Sequence, residues 1–148
     1  MEVFRLSKLR YSHELSGQGA ALAGARWNSQ GLEMVYTAES RALALAEVVV
    51  HLPQAALPRD FRMMQIYLPE EDRAPRLERP PAGWNAFPPE QASQRVGDAF
   101  LLENRYLSLP VPSVVVPGDW NYLLNPYHPA FARVAIREVT PFLIDQRL

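Results

Sequence analysis

The sequence predicts a single α+β domain. Six or so short apolar segments have the length and composition of strands, two longer segments have the periodicity of helices, and the spacing between them is irregular. A regular alternation of strands and helices would instead indicate a parallel βαβ array. A chain of 148 residues fits one domain of this kind, so we assign residues 1–148 to it.

The first half of the chain supplies three predicted strands and one helix. Residues 2–6 and 34–37 are short apolar strands, and the small residues between them predict a loop with sharp turns. Thr37 or Ser40 can cap a helix that runs to about His51 and ends before a proline. Residues 61–68 form the third strand.

The second half begins with a predicted surface loop at 69–89, where prolines and charged residues are frequent. Pro88 and Pro89 then open a helix that runs to about Tyr106. The remaining predicted elements are a buried strand at 113–116, a polar and aromatic loop at 119–129, and two closing strands at 133–138 and 142–144.

Composition excludes several functional classes. A formal net charge of −1 gives no field that would hold a nucleic acid, and the lack of cysteine excludes thiol catalysis, disulfides and cysteine-ligated zinc. The three histidines lack metal-ligand spacing, and neither a serine-hydrolase elbow nor a P-loop or dinucleotide fingerprint is present. No apolar run would span a membrane and the first residues lack a signal-peptide pattern, so we expect a cytoplasmic protein.

Glu47 is the most informative residue of the sequence. It lies in the middle of the predicted helix at 40–51, which is otherwise apolar almost all the way round and is therefore expected to be buried on most sides. A carboxylate in such a place is costly unless it has a cationic partner or faces a cleft. At about 100° of rotation per residue along a helix, Ser40 and His51 would lie on the same face of the predicted helix as Glu47. A purely structural ion pair of Glu47, or a helix face that is exposed to solvent, would explain the same pattern.

Arg26, Tyr36 and Ser113 are the other candidates. Arg26 follows small residues that let a ligand approach the backbone, and its guanidinium could bind a pyrophosphate or pair with Glu47. The ring of Tyr36 suits stacking on a planar base, with the hydroxyl free to form a hydrogen bond. Ser113 lies at a predicted strand end. Each also has an ordinary structural explanation: a surface arginine, a core tyrosine and a strand serine.

Taken in order, these residues and their neighbours resemble the RES domain family. The motifs are Arg26-Trp27-Asn28, Tyr36-Thr37-Ala38-Glu39-Ser40, Glu47, Pro112-Ser113 and Asn121 followed by Asn125-Pro126 and His128-Pro129. The likeness extends over nearly the whole chain, and the ordered string is far more specific than any of its parts. The family is named for an arginine, a glutamate and a serine, and forms the toxin half of bacterial RES–Xre toxin–antitoxin pairs.

The resemblance implies a mixed or antiparallel sheet core related to ADP-ribosyltransferases, with NAD as the substrate and no metal. The catalytic residues that it implies are Arg26, Tyr36, Glu47 and Ser113, and the NAD-binding residues are Arg26, Trp27, Asn28, Tyr36, Ser113 and Asn121. Two positions depart from the family pattern. Gly24-Ala25 replaces a common glycine pair, and Asp119 stands where glutamate is usual.

The acceptor of the implied reaction stays open. Water or phosphate would make the protein a glycohydrolase or phosphorylase that depletes NAD and arrests growth, whereas a protein side chain would make it an ADP-ribosyltransferase. An RNA-cleaving toxin is disfavoured by the neutral charge, and a catalytically dead binding module is a further alternative. The implied partner is an Xre-type helix-turn-helix antitoxin that covers or enters the pocket and contacts DNA itself, with a homodimer of the toxin inside a larger complex.

Overall fold

The computed structural model describes residues 1–53 and 59–148. In these residues the strands, in chain order, are β1 (Glu2–Lys8), β2 (Val35–Ala38), β3 (Phe61–Tyr67), β4 (Ser108–Pro112), β5 (Trp120–Leu124) and β6 (Ala135–Phe142). The α-helices of the same residues are α1 (Gln18–Ala23), α2 (Arg41–Val49) and α3 (Gln91–Glu103), and two 3-10 helices lie at Leu9–Tyr11 and Pro129–Arg133.

The strands form one sheet with the order β4-β5-β2-β1-β3-β6, and every pairing in it is antiparallel. The predicted α+β class is therefore confirmed. Within the described ranges, no helix has the length and apolar character needed to cross a bilayer.

Each face of the sheet carries a cluster of buried apolar side chains. On one face, Phe4 and Leu6 of β1 pack with Leu43 and Ala44 of α2. On the other face, Val3 of β1 packs in a separate cluster with residues of β2, β3 and β5. Because neighbouring side chains of a strand point to opposite faces, β1 contributes to two cores at once. The sheet is thus the central layer of the molecule.

Helix α2 follows the prediction in position but not in burial. The hydroxyl of Ser40 accepts a hydrogen bond of 3.1 Å from the backbone N–H of Leu43, so Ser40 is the N-cap. The helix ends at Val49, and only Leu43 and Ala44 within it are fully buried. The expectation of a helix buried on most sides was wrong, since Arg41 and Ala42 are exposed and residues 45–49 are only half-buried.

Two predictions in the last third of the chain were also wrong. The segment 113–116 is a turn, because the Ser113 hydroxyl accepts from the backbone N–H groups of Val115 and Val116 and so replaces strand partners. The strand of this region is β4, which precedes the turn. The loop predicted at 119–129 contains β5, which pairs with both β2 and β4. The two closing strands are one strand, β6, paired with β3 across a bulge.

The segment 69–89 is a loop at the surface, as predicted, and part of it is hydrogen-bonded to the sheet. The N–H of Ala74 donates to the carbonyl of Ser108 at 2.8 Å, and the N–H of Leu77 donates to that of Pro110 at 3.0 Å. These bonds lay the loop along the edge strand β4, and Ala74 is buried against the sheet. The following helix, α3, begins at Gln91 rather than at the prolines and ends at Glu103.

Gly97 lets α3 approach the chain at Trp27 closely. A Cβ atom at Gly97 would lie 1.6 Å from the carbonyl oxygen of Trp27, so α3 would have to move away. We expect Gly97→Ala to lower the free energy of unfolding by about 3 kcal/mol, despite the better helix propensity of alanine. Chemical denaturation followed by circular dichroism measures this change.

Gly19→Ala is the matched control, since Gly19 is also helical and a Cβ there meets nothing within 4 Å. We expect it to leave the unfolding midpoint unchanged or to raise it slightly. Equal midpoints for the two variants would contradict the close approach of α3.

Candidate active site

A cavity of about 570 Å³ opens between β1 and β2. These strands share one Cα pair, Phe4 with Ala38, whereas β1 pairs with β3 along its whole length. Beyond that pair, Arg5 and Leu6 of β1 and Tyr36 and Thr37 of β2 line the cavity. The sheet therefore separates at this point, and residues from both faces of each strand reach the cavity. Ligand sites of small molecules commonly have about 300–1,000 Å³.

Glu47 lines this cavity from α2 and is half-buried. Its Oε1 atom accepts two hydrogen bonds, from Ser113 Oγ at 2.7 Å and from Asn121 Nδ2 at 2.6 Å. Two donors on one oxygen fix the plane of the carboxylate. Within the described part of the chain, the hydrogen bonds of Glu47 all fall on Oε1, so Oε2 is available to a ligand.

Ser113 positions Glu47 rather than facing the cavity. Its side chain is buried, and its oxygen accepts from the backbone N–H groups of Val115 and Val116 at 3.1 and 3.0 Å. Because the hydroxyl has a single hydrogen and both acceptor sites are in use, that hydrogen is committed to Glu47. Asn121 differs, since it lies on β5 opposite Ala38 and also lines the cavity.

Arg26 lines the cavity with a fixed guanidinium. Its Nη1 atom donates to the carbonyl oxygens of Trp84 and Ala86 at 2.8 and 2.9 Å, which leaves three N–H groups for a ligand. Burial lowers the pKa of Arg26, while the negative charge of Glu47 acts in the opposite direction. Among the described residues no ion pair within 4.0 Å joins Arg26 to Glu47. The suggested direct pair is absent there, although both side chains line one cavity.

The loop that carries Arg26 is held by α3. Ser93 Oγ donates to the carbonyl of Arg26 at 2.6 Å, and Gln94 Nε2 donates to that of Ala25 at 3.0 Å. One turn further along α3, Asp98 Oδ1 accepts from the backbone N–H of Ser29 at 2.8 Å. Three side chains of one helix thus fix the backbone on both sides of Arg26.

Asn28 is fully buried and lies outside the cavity lining. Its amide donates to the carbonyl oxygens of Ala20 and Leu32, both at 3.0 Å, and its Oδ1 accepts from the hydroxyl of Tyr36 at 2.6 Å. With its polar atoms used by the protein, Asn28 holds the loop together. The expectation that Asn28 contacts NAD does not match this position.

Tyr36 presents its ring to the cavity, but its hydroxyl is not free as the sequence suggested. The hydroxyl donates to Asn28 and accepts from the backbone N–H of Trp27 at 3.1 Å. Burial raises the pKa of Tyr36, so this phenol stays protonated. Trp27 is also almost fully buried, stacks on Trp84 with ring centroids 6.0 Å apart, and contributes to the lining.

The lining also includes residues that were not proposed for the site from the sequence, among them Arg5, His51 and Phe87. Burial lowers the pKa of Arg5, and within the described residues no carboxylate lies within 4.0 Å of its guanidinium. A charged residue inside the apolar strand 2–6 was the available signal for Arg5. His51 lies in the turn two residues after the end of α2, and it lines the same cavity as Glu47. Residues 1–53 and 59–148 hold no cluster of three possible metal ligands among His, Cys, Asp and Glu.

The fold and the cavity together define an α+β protein whose cleft combines one oriented carboxylate with guanidinium groups. The family model of the RES domain matches residues 2–145, and the chain belongs to the RES domain family. The resemblance noted in the motifs is confirmed.

The relatives of this chain are bacterial toxins. It is 40% identical over 139 residues to the Prs ADP-ribosylating toxin of Sphingobium sp. (strain YBL2), covering 91% of this chain and 86% of that protein. It is 36% identical over 139 residues to Toxin Res of Pseudomonas putida (strain KT2440), covering 91% and 92%. The chain is thus a toxin of the RES type.

A solved structure supports the fold. The M. tuberculosis MbcT-MbcA toxin-antitoxin complex contains a chain that matches 96% of this one with a TM-score of 0.73, over 84% of its own length. The sequence identity is 18%, so the match bears on the fold alone.

Tyr36→Phe tests the buried network around Asn28. The substitution removes the hydroxyl that Asn28 Oδ1 and the Trp27 N–H both use, so two buried polar groups lose a partner. We expect the free energy of unfolding to fall by about 2–3 kcal/mol. Urea denaturation measures the change, and Tyr11→Phe is the control, because Tyr11 is 58% exposed. A Tyr36→Phe protein as stable as the control would contradict the network.

The difference in unfolding free energy between wild type and Tyr36→Phe is also expected to depend on pH. Because the pKa of Tyr36 is raised in the folded state, the stability that the neutral phenol contributes is complete below the ordinary tyrosine pKa of about 10. It is lost as the pH rises above that value, since the unfolded chain then releases the proton first. The difference in stability between wild type and Tyr36→Phe should therefore narrow above about pH 10.

Proposed function

We propose that this RES toxin consumes NAD by cleaving the bond between nicotinamide and ribose, with water or phosphate as the acceptor. The observation that carries the proposal is the oriented carboxylate of Glu47 in a cavity that also holds the guanidinium of Arg26. The relative named as an ADP-ribosylating toxin supports NAD as the substrate.

The chemistry needs one well-placed negative charge. In NAD the nicotinamide ring is cationic and leaves as a neutral base, so the electron pair of the broken bond stays on the ring nitrogen. The ribose carbon becomes electron-poor, in a state resembling the oxocarbenium ion of glycoside hydrolysis. Glu47 stabilises that state, and because Ser113 and Asn121 already hold Oε1, no reorganisation is needed during the reaction. The acceptor oxygen then bonds to the ribose carbon. A water acceptor releases one proton to the solvent, whereas an ionised phosphate oxygen has no proton to release.

Substrate binding falls to the remaining lining residues. Three N–H groups of Arg26 and the guanidinium of Arg5 supply positive charge for the pyrophosphate. The ring of Tyr36 stacks on the nicotinamide, and its hydroxyl takes no part because it holds Asn28. Trp27 forms part of the cavity wall. Asn121 lines the cavity beside Glu47 and contacts the ribose. Ser113 acts only by orienting Glu47.

A protein acceptor is the second candidate. The relative that is 40% identical is named for ADP-ribosylation, which transfers the ADP-ribose group to a protein instead of to water. The chemistry at Glu47 is the same in both reactions, since only the nucleophile differs. Labelled NAD that appears on a protein would favour the transferase, and free ADP-ribose or its phosphate would favour the degradative reaction.

An antitoxin is the proposed partner. A structural neighbour was solved as a toxin-antitoxin complex, and this chain has the same fold. We extend that arrangement to this chain, with an Xre-type helix-turn-helix protein covering the cavity.

Glu47→Gln is the decisive variant. The amide oxygen of glutamine can accept the bonds from Ser113 and Asn121, so the fold is kept while the negative charge is lost. We expect NAD cleavage to fall by about 100-fold or more. Mass spectrometry of NAD, nicotinamide and the ribose product, with and without phosphate, measures the activity and identifies the acceptor.

Glu138→Gln is the matched control, because Glu138 is an exposed glutamate of β6 outside the cavity lining. We expect it to keep full activity. Intact NAD after long incubation with folded, antitoxin-free wild type would contradict the proposed function.

A further inference from the structure

Phe87 is an aromatic residue in an unusual place. Its side chain is 83% exposed, yet the residue lines the cavity. Exposing a phenylalanine to water is unfavourable, since burying one contributes about 1.5–3 kcal/mol. An exposed aromatic ring beside a cavity is therefore a surface on which a flat ligand group could pack.

The backbone next to Phe87 is held firmly. The carbonyl of Ala86 accepts from Arg26 Nη1 at 2.9 Å, and the N–H of Ala86 donates to the carbonyl of Gly83 at 3.1 Å. Trp84, two residues before Ala86, stacks on Trp27, and its carbonyl oxygen accepts a hydrogen bond from Arg26. Phe87 thus follows a segment that is already ordered, and a ligand that packs on it loses little further chain entropy.

The lining residues differ in burial, and this difference distinguishes an inner end of the cavity from an outer end. Glu47 and Tyr36 are half-buried and must lie beside the bond that breaks, whereas Phe87 is the most exposed aromatic residue of the lining. Arg26 connects the two ends, because it shares the cavity with Glu47 and is bonded to the residue before Phe87. In a dinucleotide the pyrophosphate likewise lies between the nicotinamide half and the second base.

From this arrangement we infer that Phe87 stacks on the adenine of NAD at the outer end of the cavity. The inference rests on the proposed function, and it adds a residue that determines recognition of the second base. Stacking of a base on an aromatic side chain tolerates different bases and is lost on truncation to alanine. Phe87 would therefore govern affinity for the dinucleotide and not the chemical step.

The test compares two substrates in steady-state kinetics. NAD carries the adenine and nicotinamide mononucleotide lacks it, whereas both contain the bond that is cleaved. We expect Phe87→Ala to raise KM for NAD about 10-fold with kcat within about twofold, and to leave the kinetics of the mononucleotide unchanged. Phe87→Trp should restore KM for NAD, and Phe87→Leu should not. Leu102→Ala is the control, because Leu102 is 71% exposed and lies outside the cavity lining.

Two results would overturn the inference. One is an unchanged KM for NAD in Phe87→Ala, and the other is an equal loss for both substrates. If wild type turns over neither substrate, the proposed function fails, and titration calorimetry with ADP-ribose still decides the role of Phe87. Weaker binding by Phe87→Ala than by wild type and Leu102→Ala would support stacking. Equal affinities, or no binding to wild type, would refute it.

Discussion

The buried side chain of Asn28 is the constraint on which the cavity depends. It joins α1, the Arg26 loop and β2 through hydrogen bonds to Ala20, Leu32 and Tyr36. A fully buried amide is stable only when its donors and acceptor are all used, so this network has one low-energy arrangement. That arrangement places Arg26 and the ring of Tyr36 in the wall of the same cavity. The rigid part of the site is thus a polar network inside the protein, not the apolar core beneath it.

The carboxylate is oriented by a second, independent set of contacts. Glu47 is carried by α2, Ser113 by the turn after β4, and Asn121 by β5. These three elements meet because β5 lies between β2 and β4 in the sheet, while α2 covers the adjoining face. The lack of a direct bond to Arg26 has a chemical benefit, since a carboxylate paired to a guanidinium would be less able to stabilise positive charge on a substrate.

The incorrect predictions have a common physical cause. Residues 113–116 have strong β-propensity, but a local bond from the Ser113 hydroxyl provides the same backbone groups with partners inside a turn. Residues 120–124 were taken as loop because of their polar and aromatic character, yet pairing on both sides with β2 and β4 makes them a central strand. Tertiary pairing overrides local composition where the segments are short. The same holds for the loop 69–89, whose packing along β4 depends on a strand that the sequence did not reveal.

The sequence by itself determined the fold class, the position of α2 with Thr37 or Ser40 as its cap, and the family, because these depend on local periodicity and on an ordered string of motifs. It also singled out Glu47, since a charge inside an apolar helix is costly wherever that helix packs. Only the tertiary structure decided which partners hold that charge, that Asn28 faces inward, and that Arg5 and Phe87 line the cavity. These features depend on distances between segments far apart in the chain, and such distances follow from strand pairing and side-chain packing, which local sequence does not encode.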